Sequence, residues 1–456
     1  MLRLCLLQYI YGDSDRQVVE NARLNLAYKY FLGLAVDTDV PDDTTISYFR
    51  AKRLGEDKFK LIFENIVQQC IDNKLVAGKR QIIDSTHIVA DIAVNSFTRL
   101  LKLCRRNVLK DIECQNTSIA EKLGIKELEL KEQDRFTSKD EGLQQEIETA
   151  RRLLDGITEE LRQGNIRPTK DVKKDMELLE KAVADRDDEA KDRLISPVDP
   201  DARAGVKTNK SWYGYKAHVV MEEDTEIITG VETTPANKPD GSQLKPLIRQ
   251  QEKAYLLKPE EISGDKAYDW GDNLESLDNK NIIGNIGLKK QVNRNGAGYY
   301  NADDFLYDPE NKILLCPAGY LATYCNRVIP NKYERNKPGY AFQFRPEQCN
   351  NCHLKPQCVK SRAGRRVYIS YYEPYYRQIK DRMKTEAGRQ AYLNRYRVEH
   401  KIADLTRNCD MRRCRYRGLN KVKIHTLLAA IVSNVKRMAR LLWNKPDLPP
   451  EMVPAA

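Results

Sequence analysis

The strongest constraint on how this chain can fold is a long interruption in its β pattern. "RQIIDSTHIVADIA" (80–93) alternates and is β-branched, so it reads as a buried strand with Asp84 in its middle. The next alternating run comes only with "SWYGYKAHVVMEEDTEIITGVETTPANKPDGSQL" (211–244). Between them, Leu143, Ile147, Ala150, Leu154, Ile157 and Leu161 step by three and four. After "GNIRP", Val172, Met176, Leu179 and Val183 do the same. That spacing predicts an antiparallel helical hairpin turned at Gly164 to Pro168, with solvated charges on its outer faces. The chain is therefore expected to build a strand-containing core around an inserted charged arm with no chemistry of its own.

With the arm set aside, the remaining segments read in order. Tyr215, Ala217 and Val219 lead to a turn at Glu223 and Asp224, and Ile227 to Val231 complete a hairpin. A Pro/Asn loop and a helix near 243–255 follow, then "EEISGDKAYDWGDNLESL", a short strand ending at Asp265 and leading into a helix. "LNKVKIHTLLAAIVSNVKRMARLLW" is amphipathic through Leu427, Ile431, Val435, Met438 and Leu442, and is expected to pack on the sheet. Residues 1 to about 75 read as short helices. "SDRQVVENARLNLAYKYFLGL" carries a Ser/Asp cap and a stripe through Val18, Ala22, Leu26 and Tyr30, and "PDDTTISYFRAKRLG" opens a second helix. Helix, turn and capped helix with Arg50, Lys52 and Arg53 fits a DNA-reading unit; ordinary helical packing fits equally.

Charge and cysteine usage narrow the class. Lys and Arg number 77 against 66 Asp and Glu, a net +11 that permits a polyanionic partner without requiring one. Acidic residues gather between about 120 and 190, while the last third is basic, notably "DMRRCRYRGLNK", which reads as a backbone-tracking patch or a solvated face. No secretory signal and no membrane-length apolar run is visible, so the 11 cysteines read as cytosolic thiols, some of them available to metal. Cys316, Cys349, Cys352 and Cys358 form C…CxxC-x5-C, a tetrahedral Zn²⁺ pattern; free buried thiols are the alternative. Cys409 and Cys414 read as packing or solvent-facing residues.

The chemistry concentrates in three acids. In "AYLNRYRVEHKIADLTRN" (391–408), Tyr392, Arg395 and Glu399 share one face of a predicted helix, and Thr406 continues the stripe. A surface ion pair would explain that Glu taken alone. Asp84 mid-strand, Asp265 at a strand end and Glu399 on a helix converge if the first two strands are neighbours. Two Mg²⁺ ions roughly 3.5–4 Å apart need carboxylate ligands to clamp the oxygens of an in-line phosphoryl displacement, and three acids suffice. Tyr392 and Arg395 are placed to hold flanking phosphates. Trp270 could stack on an unpaired base, although core packing is the commoner use of a Trp. His87 points to the strand face opposite Asp84 and reads as structural; His400 lies off the Glu399 stripe.

Taken together, these segments resemble a DDE-type transposase of a bacterial insertion sequence with an InsH-type N-terminal domain. The resemblance covers nearly the whole chain. "LLQYIYGDSDRQVVENARLNLAYKYFLGL" and "PDDTTISYFR" are similar to the family's N-terminal domain, and "DSTHIVAD" to its first-Asp strand. "SPVDPDARAGVKTNKSWYGYKAHVV" resembles the segment leading into the hairpin, and "GDKAYDWGDN" the second-Asp strand. "CPAG" with "CNNCHLKPQC" resembles the cysteine-bearing insertion, and the Tyr-x2-Arg-x3-Glu-x6-Lys signature falls on Tyr392, Arg395 and Glu399. Its lysine is Thr406 here; Arg407 is adjacent but about 100° round a helix. Family members usually carry more residues before "MLRLCLLQYIYG", so the first DNA-binding helices are expected to be missing.

The resemblance implies an α/β fold with an RNase H-like catalytic core, a mixed sheet with flanking helices. The expected division is a helical N-terminal DNA-binding region (1–78), the first part of the core (79–97 and 208–300) and a helical-hairpin insertion (98–207). A cysteine-bearing insertion (301–370) and the C-terminal part of the core with the catalytic-Glu helix (371–445) complete it. Asp84, Asp265 and Glu399 would be the catalytic Mg²⁺ (or Mn²⁺) ligands; Tyr392, Arg395, Arg407 and Trp270 would contact DNA; the cysteines would hold a structural Zn²⁺. The implied activity is cleavage and strand transfer at the element's terminal inverted repeats, by a homodimer on double-stranded DNA in the bacterial cytoplasm, associated with the nucleoid. The alternative is a decayed or repurposed DNA-binding derivative, favoured by Thr406 and the short N-terminus.

Overall fold

Strand β1, Arg80–Val89, lies between two partners. The computed structural model describes residues 1–125, 139–187, 192–207, 210–289, 298–328 and 338–443. Five further strands complete the sheet: β2 (Arg203–Lys207), β3 (Lys210–Glu222), β4 (Ile228–Pro235), β5 (Glu261–Gly264) and β6 (Ile283–Ile286). Their order is β2-β3-β1-β5-β6, with β4 also paired to β3. β1 runs antiparallel to β3 and parallel to β5, and β5 is parallel to β6. The sheet is therefore mixed, and Ile82, Ile83, Val219, Val220 and Ile262 along its centre are fully buried, as a sheet covered on both faces requires.

Helices supply that cover. On one face the N-terminal helices, the helix Gly55–Asp72 and the final helix Leu419–Trp443 share an apolar core with Ile82, Val219 and Met221. On the other, Leu244–Tyr255, Gly271–Asp278 and Glu373–Lys384 pack around Ile83, Val220 and Ile262. The final helix is more deeply set than its predicted stripe. Thr426, Leu428, Ala429 and Ala430 are buried along with Leu427 and Ile431, because that stretch is held between β4 and Gly55–Asp72. A buried hydrogen bond of 2.6 Å from Tyr9 Oη to His425 Nδ1 ties the first helix to it.

Two sequence expectations need correction here. The N-terminal stripe does not run on to Leu26 and Tyr30, which are 63% and 77% exposed. Ser14 caps Asp15–Leu24 with a full capping box, and Asn25 then caps a separate helix, Leu26–Leu32, by accepting from Ala27 N. A new cap starts a new axis, which breaks the face. Nor is the arm a lone hairpin. Lys139–Arg162 and Lys170–Asp187 pack against Phe97–Glu113 and Thr117–Lys122 around Leu101, Val108, Ile157 and Leu179. A buried Arg105–Glu146 pair lies between two of those helices.

The insertion returns to its point of departure. Gly214 of β3 pairs with Val89, the last residue of β1, and with Arg203, the first of β2. Gly214 has φ 148°, and a Cβ there would collide with the Ile88 carbonyl, so the strands meet where only glycine fits. Beyond β6, a separate small core is built by β7 (Leu306–Asp308), β8 (Ile313–Leu315) and the antiparallel sheet of β9 (Tyr324–Val328), β10 (Gly339–Gln343) and β11 (Arg366–Ser370). Among the described residues no helix is long and apolar enough to cross a membrane.

Candidate active site

Pairing register brings two of the three acids together. Ile83 of β1 stands opposite Gly264, the last residue of β5, so the next residues on these parallel strands are Asp84 and Asp265. Asp265 caps the short 3-10 turn Lys266–Tyr268 by accepting from Ala267 N at 2.8 Å. Asp84 is only 14% exposed at its side chain. Its Oδ1 accepts from Ser85 N at 2.7 Å, and Oδ2 from Arg395 Nη1 at 3.0 Å. Burial pushes its carboxyl up to about 6, and the charge of Asp265 adds to the rise, while the Ser85 N–H, Arg395 and Lys207 oppose it.

The third acid comes from the helix Tyr396–Asn408, whose buried Val398 and Leu405 seat it on the sheet. Glu399 lies in its first turn, 59% exposed, and accepts from Arg395 Nη2 at 2.9 Å. One guanidinium thus spans Asp84 and Glu399. It also lies 6.0 Å from the centroid of the Tyr392 ring. The predicted single helix over 391–408 is two: Glu386–Leu393 ends before the turn at Asn394 and Arg395. There the bonds tighten to i→i+3 (Arg395 N to Tyr392 O, Arg397 N to Asn394 O), and Asn394 Nδ2 donates to Glu223 Oε1 at 2.8 Å. Ser263 Oγ of β5 holds the preceding helix by donating to Ala391 O at 3.1 Å.

Tyr268 was not picked out by sequence reasoning. It is fully buried, its hydroxyl has no hydrogen-bond partner among the described residues, and it lies in the field of Asp84, Asp240 and Asp265. Burial drives its phenol well above the ordinary value, with those acids adding to the rise. An orphaned hydroxyl beside paired, desolvated carboxylates is an environment that a hard cation and its waters would complete. Among the described residues no three His, Cys, Asp or Glu side chains are grouped tightly enough to hold an ion.

The remaining candidates are dispersed. Trp270 packs over Gly241, where a Cβ would come within 2.8 Å of the indole nitrogen. Thr406 turns back on its own helix, donating to Ile402 O at 2.9 Å and Ala403 O at 3.1 Å, and Arg407 is exposed in the last turn. His87 stacks near Trp212, ring centroids 5.2 Å apart. The basic run bridges to the end of β1: Val89 N donates to Arg412 O, and Asp91 pairs with Arg413 at 3.5 Å and Arg417 at 3.4 Å. Arg417 and Lys421 line two open grooves of about 360 and 580 Å³, one against the N-terminal helices and one against the arm.

In the small domain, Cys316, Cys349, Cys352 and Cys358 all line one cavity of about 20 Å³, room for roughly one water-sized sphere. Tyr320 N donates to Cys316 Sγ and Arg365 N to Cys349 Sγ, each at 3.4 Å. Burial raises the Cys358 thiol; Arg365 opposes the rise and the other three cysteines add to it. Cys409 and Cys414 are buried.

Comparison with known families supplies two matches. A family described as "Transposase DDE domain" matches residues 315–439, a stretch containing the four cysteines, Tyr392, Arg395 and Glu399. A second, "Transposase domain (DUF772)", matches residues 1–52. No curated protein matches the chain. Asp84 and Asp265 lie outside both stretches, yet the sheet sets them side by side and Arg395 links Asp84 to the Glu399 helix. With one match at each end of the chain, this protein belongs to the DDE-type transposases of insertion sequences.

Proposed function

We propose that the protein cuts and rejoins double-stranded DNA at the terminal inverted repeats of its element, with Asp84, Asp265 and Glu399 holding two Mg²⁺ (or Mn²⁺) ions in an RNase H-like core. The observation that carries this reading is the placement of Asp84 and Asp265 at adjoining steps of paired parallel strands, with Glu399 joined to Asp84 through one guanidinium. The hard oxygen donors and the orphaned Tyr268 hydroxyl fit such ions. Divalent cations, when bound, supply charge stabilisation for in-line displacement at phosphorus.

The protein's own groups do the rest. Asp84, desolvated and next to Asp265, is poor at holding a proton-free charge by itself and so favours a cation partner. Arg395 offers a planar fork to a backbone phosphate, and Tyr392, beside it, guides the same strand. Trp270 and Arg407 complete the proposed DNA contacts, and the basic run from Arg412 to Lys421 carries the duplex away along the grooves. The domain boundaries follow the division given above: 1–78, 79–97 with 208–300, 98–207, 301–370 and 371–445. A homodimer handles the two element ends on DNA in the cytoplasm, at the nucleoid. Cys316, Cys349, Cys352 and Cys358 hold a structural Zn²⁺.

A Mg²⁺-dependent nicking assay on the repeats flanking the gene tests the reading. Asp265→Asn should lower cleavage by about 10³-fold, equivalent to about 4 kcal/mol of transition-state stabilisation. Equal cleavage by wild type and variant would remove the metal-site assignment. A second reading, a DNA-binding derivative without catalysis, draws on Thr406, whose hydroxyl is spent on its own helix where the family signature has a cation. Binding of the repeats without nicking by the wild type would favour it.

A further inference from the structure

Arg395 occupies an unusual position for a residue that is to hold DNA. Its two terminal nitrogens are divided between two carboxylates, Nη1 on Asp84 Oδ2 at 3.0 Å and Nη2 on Glu399 Oε1 at 2.9 Å. A fork that could embrace a single carboxylate or phosphate with both nitrogens is instead stretched between two acids. The guanidinium therefore stands where a cation bridging those acids would stand. It carries only donors and cannot join a metal's ligand shell. Ion and guanidinium are mutually exclusive between the same oxygens.

We infer that Arg395 is a resident counter-ion of the acid site, which holds Asp84 and Glu399 together in the metal-free protein and must leave for a divalent ion to enter. The inference rests on the proposed function and adds an order of events to it. The two halves of the clasp differ in grip. Asp84 is 14% exposed and its bond to Arg395 is part-buried. Glu399 is 59% exposed, and an exposed pair four residues apart on a helix is weakly held. The Glu399 side opens first. The Tyr392 ring, 6.0 Å away, gives the departing cation a face to rest on.

A DNA phosphate offers the fork a bidentate partner outside the acid cluster. DNA binding then draws Arg395 away from the acids, and metal affinity rises as a result. By linkage the metal strengthens DNA binding by the same factor. Without DNA, the protein discourages a loaded metal site and therefore stray nicking. Arg395 is in this sense a positioning residue with two posts: the acids before DNA arrives, the phosphate afterwards.

The test is Mn²⁺ binding to the full chain without DNA, followed by electron paramagnetic resonance of the free ion. Arg395→Gln should bind Mn²⁺ about tenfold more tightly than wild type, within the usual range of site-to-site coupling. Arg395→Lys, which keeps the charge, should stay within about threefold of wild type; this separates loss of charge from loss of structure. Adding Asp265→Asn should weaken binding in every background. If Arg395→Gln binds Mn²⁺ as wild type does or more weakly, while Asp265→Asn still weakens it, Arg395 supports the site and the inference fails alone. If Asp265→Asn leaves Mn²⁺ binding unchanged throughout, the metal-site reading fails and the inference falls with it.

Discussion

Gly287, the residue after β6, faces the tip of Tyr392. A Cβ there would stand 2.7 Å from the phenol oxygen and 3.1 Å from Lys266 Cγ. Both are ends or stems of flexible side chains, so Gly287→Ala should push the ring aside and leave the backbone in place. We expect cleavage of repeat DNA to fall about tenfold, near 1.4 kcal/mol, with Tm within about 3 °C of wild type. Tyr392→Phe in the same chain shortens the ring by its hydroxyl and should recover part of the loss. Wild-type cleavage by Gly287→Ala would show that the ring's position is not used. Residues such as Asp84 stood out from sequence because a carboxylate in a β-branched strand is costly without a partner. Nothing of that kind marked Gly287 or Tyr268. Their significance lies in what meets them across the fold, the Tyr392 phenol in one case and the Asp84 and Asp265 carboxylates in the other.

Elements with strong local signals were readable, and those set by distant contacts were not. The strand over 80–93, the hairpin after 211 and the helix near 243–255 emerge as Arg80–Val89, Lys210–Glu222 with Ile228–Pro235, and Leu244–Tyr255. Each has its own periodicity and turn chemistry. The break at Asn394 and Arg395 has no such mark, because it depends on Glu223, a partner at the far end of β3. The cysteine-bearing elements lie between these cases. Spacing alone could not choose between thiols and metal, but all four sulfurs line one ion-sized cavity, with two N–H groups aimed at sulfur. The protein should therefore carry about one Zn²⁺ per chain by atomic absorption. Cys352→Ser should lose it and make the segment around β9–β11 sensitive to proteolysis. Metal-free protein with unchanged proteolysis would leave the four as free thiols. Zinc is expected to matter here because the small core rests on few large side chains, Phe305, Phe342 and Phe344 among them, too few to order so many loops unaided.

For the whole molecule, the question is how a sheet survives an insertion of this size between adjacent strands. Val89 and Arg203 both pair with Gly214, so each Cα lies about 5 Å from that of Gly214 and the two cannot be more than about 11 Å apart. A short loop can span that gap. The helical bundle has its own apolar core around Leu101, Val108, Ile157 and Leu179, separate from the cores on the two faces of the sheet. Its cost to the core is then chiefly loop closure, which grows only slowly with length. The segment just before β2 is different in kind. Tyr215 Oη donates to Asp199 at 2.5 Å, and Asp199 also accepts from Gly418 N at 3.0 Å, so this return segment is part of the core. Replacing residues 98–187 with a short Gly/Ser linker should therefore leave a cooperative thermal transition and Asp265-dependent Mn²⁺ binding, while removing a proportionate share of the helical circular dichroism. A deletion that also removes Asp199 should melt at lower temperature. If the first deletion gives an unfolded or aggregated chain while Asp199→Asn in the full chain is well folded, the bundle is a structural support of the sheet, and the idea of an insertion closed at Gly214 is wrong.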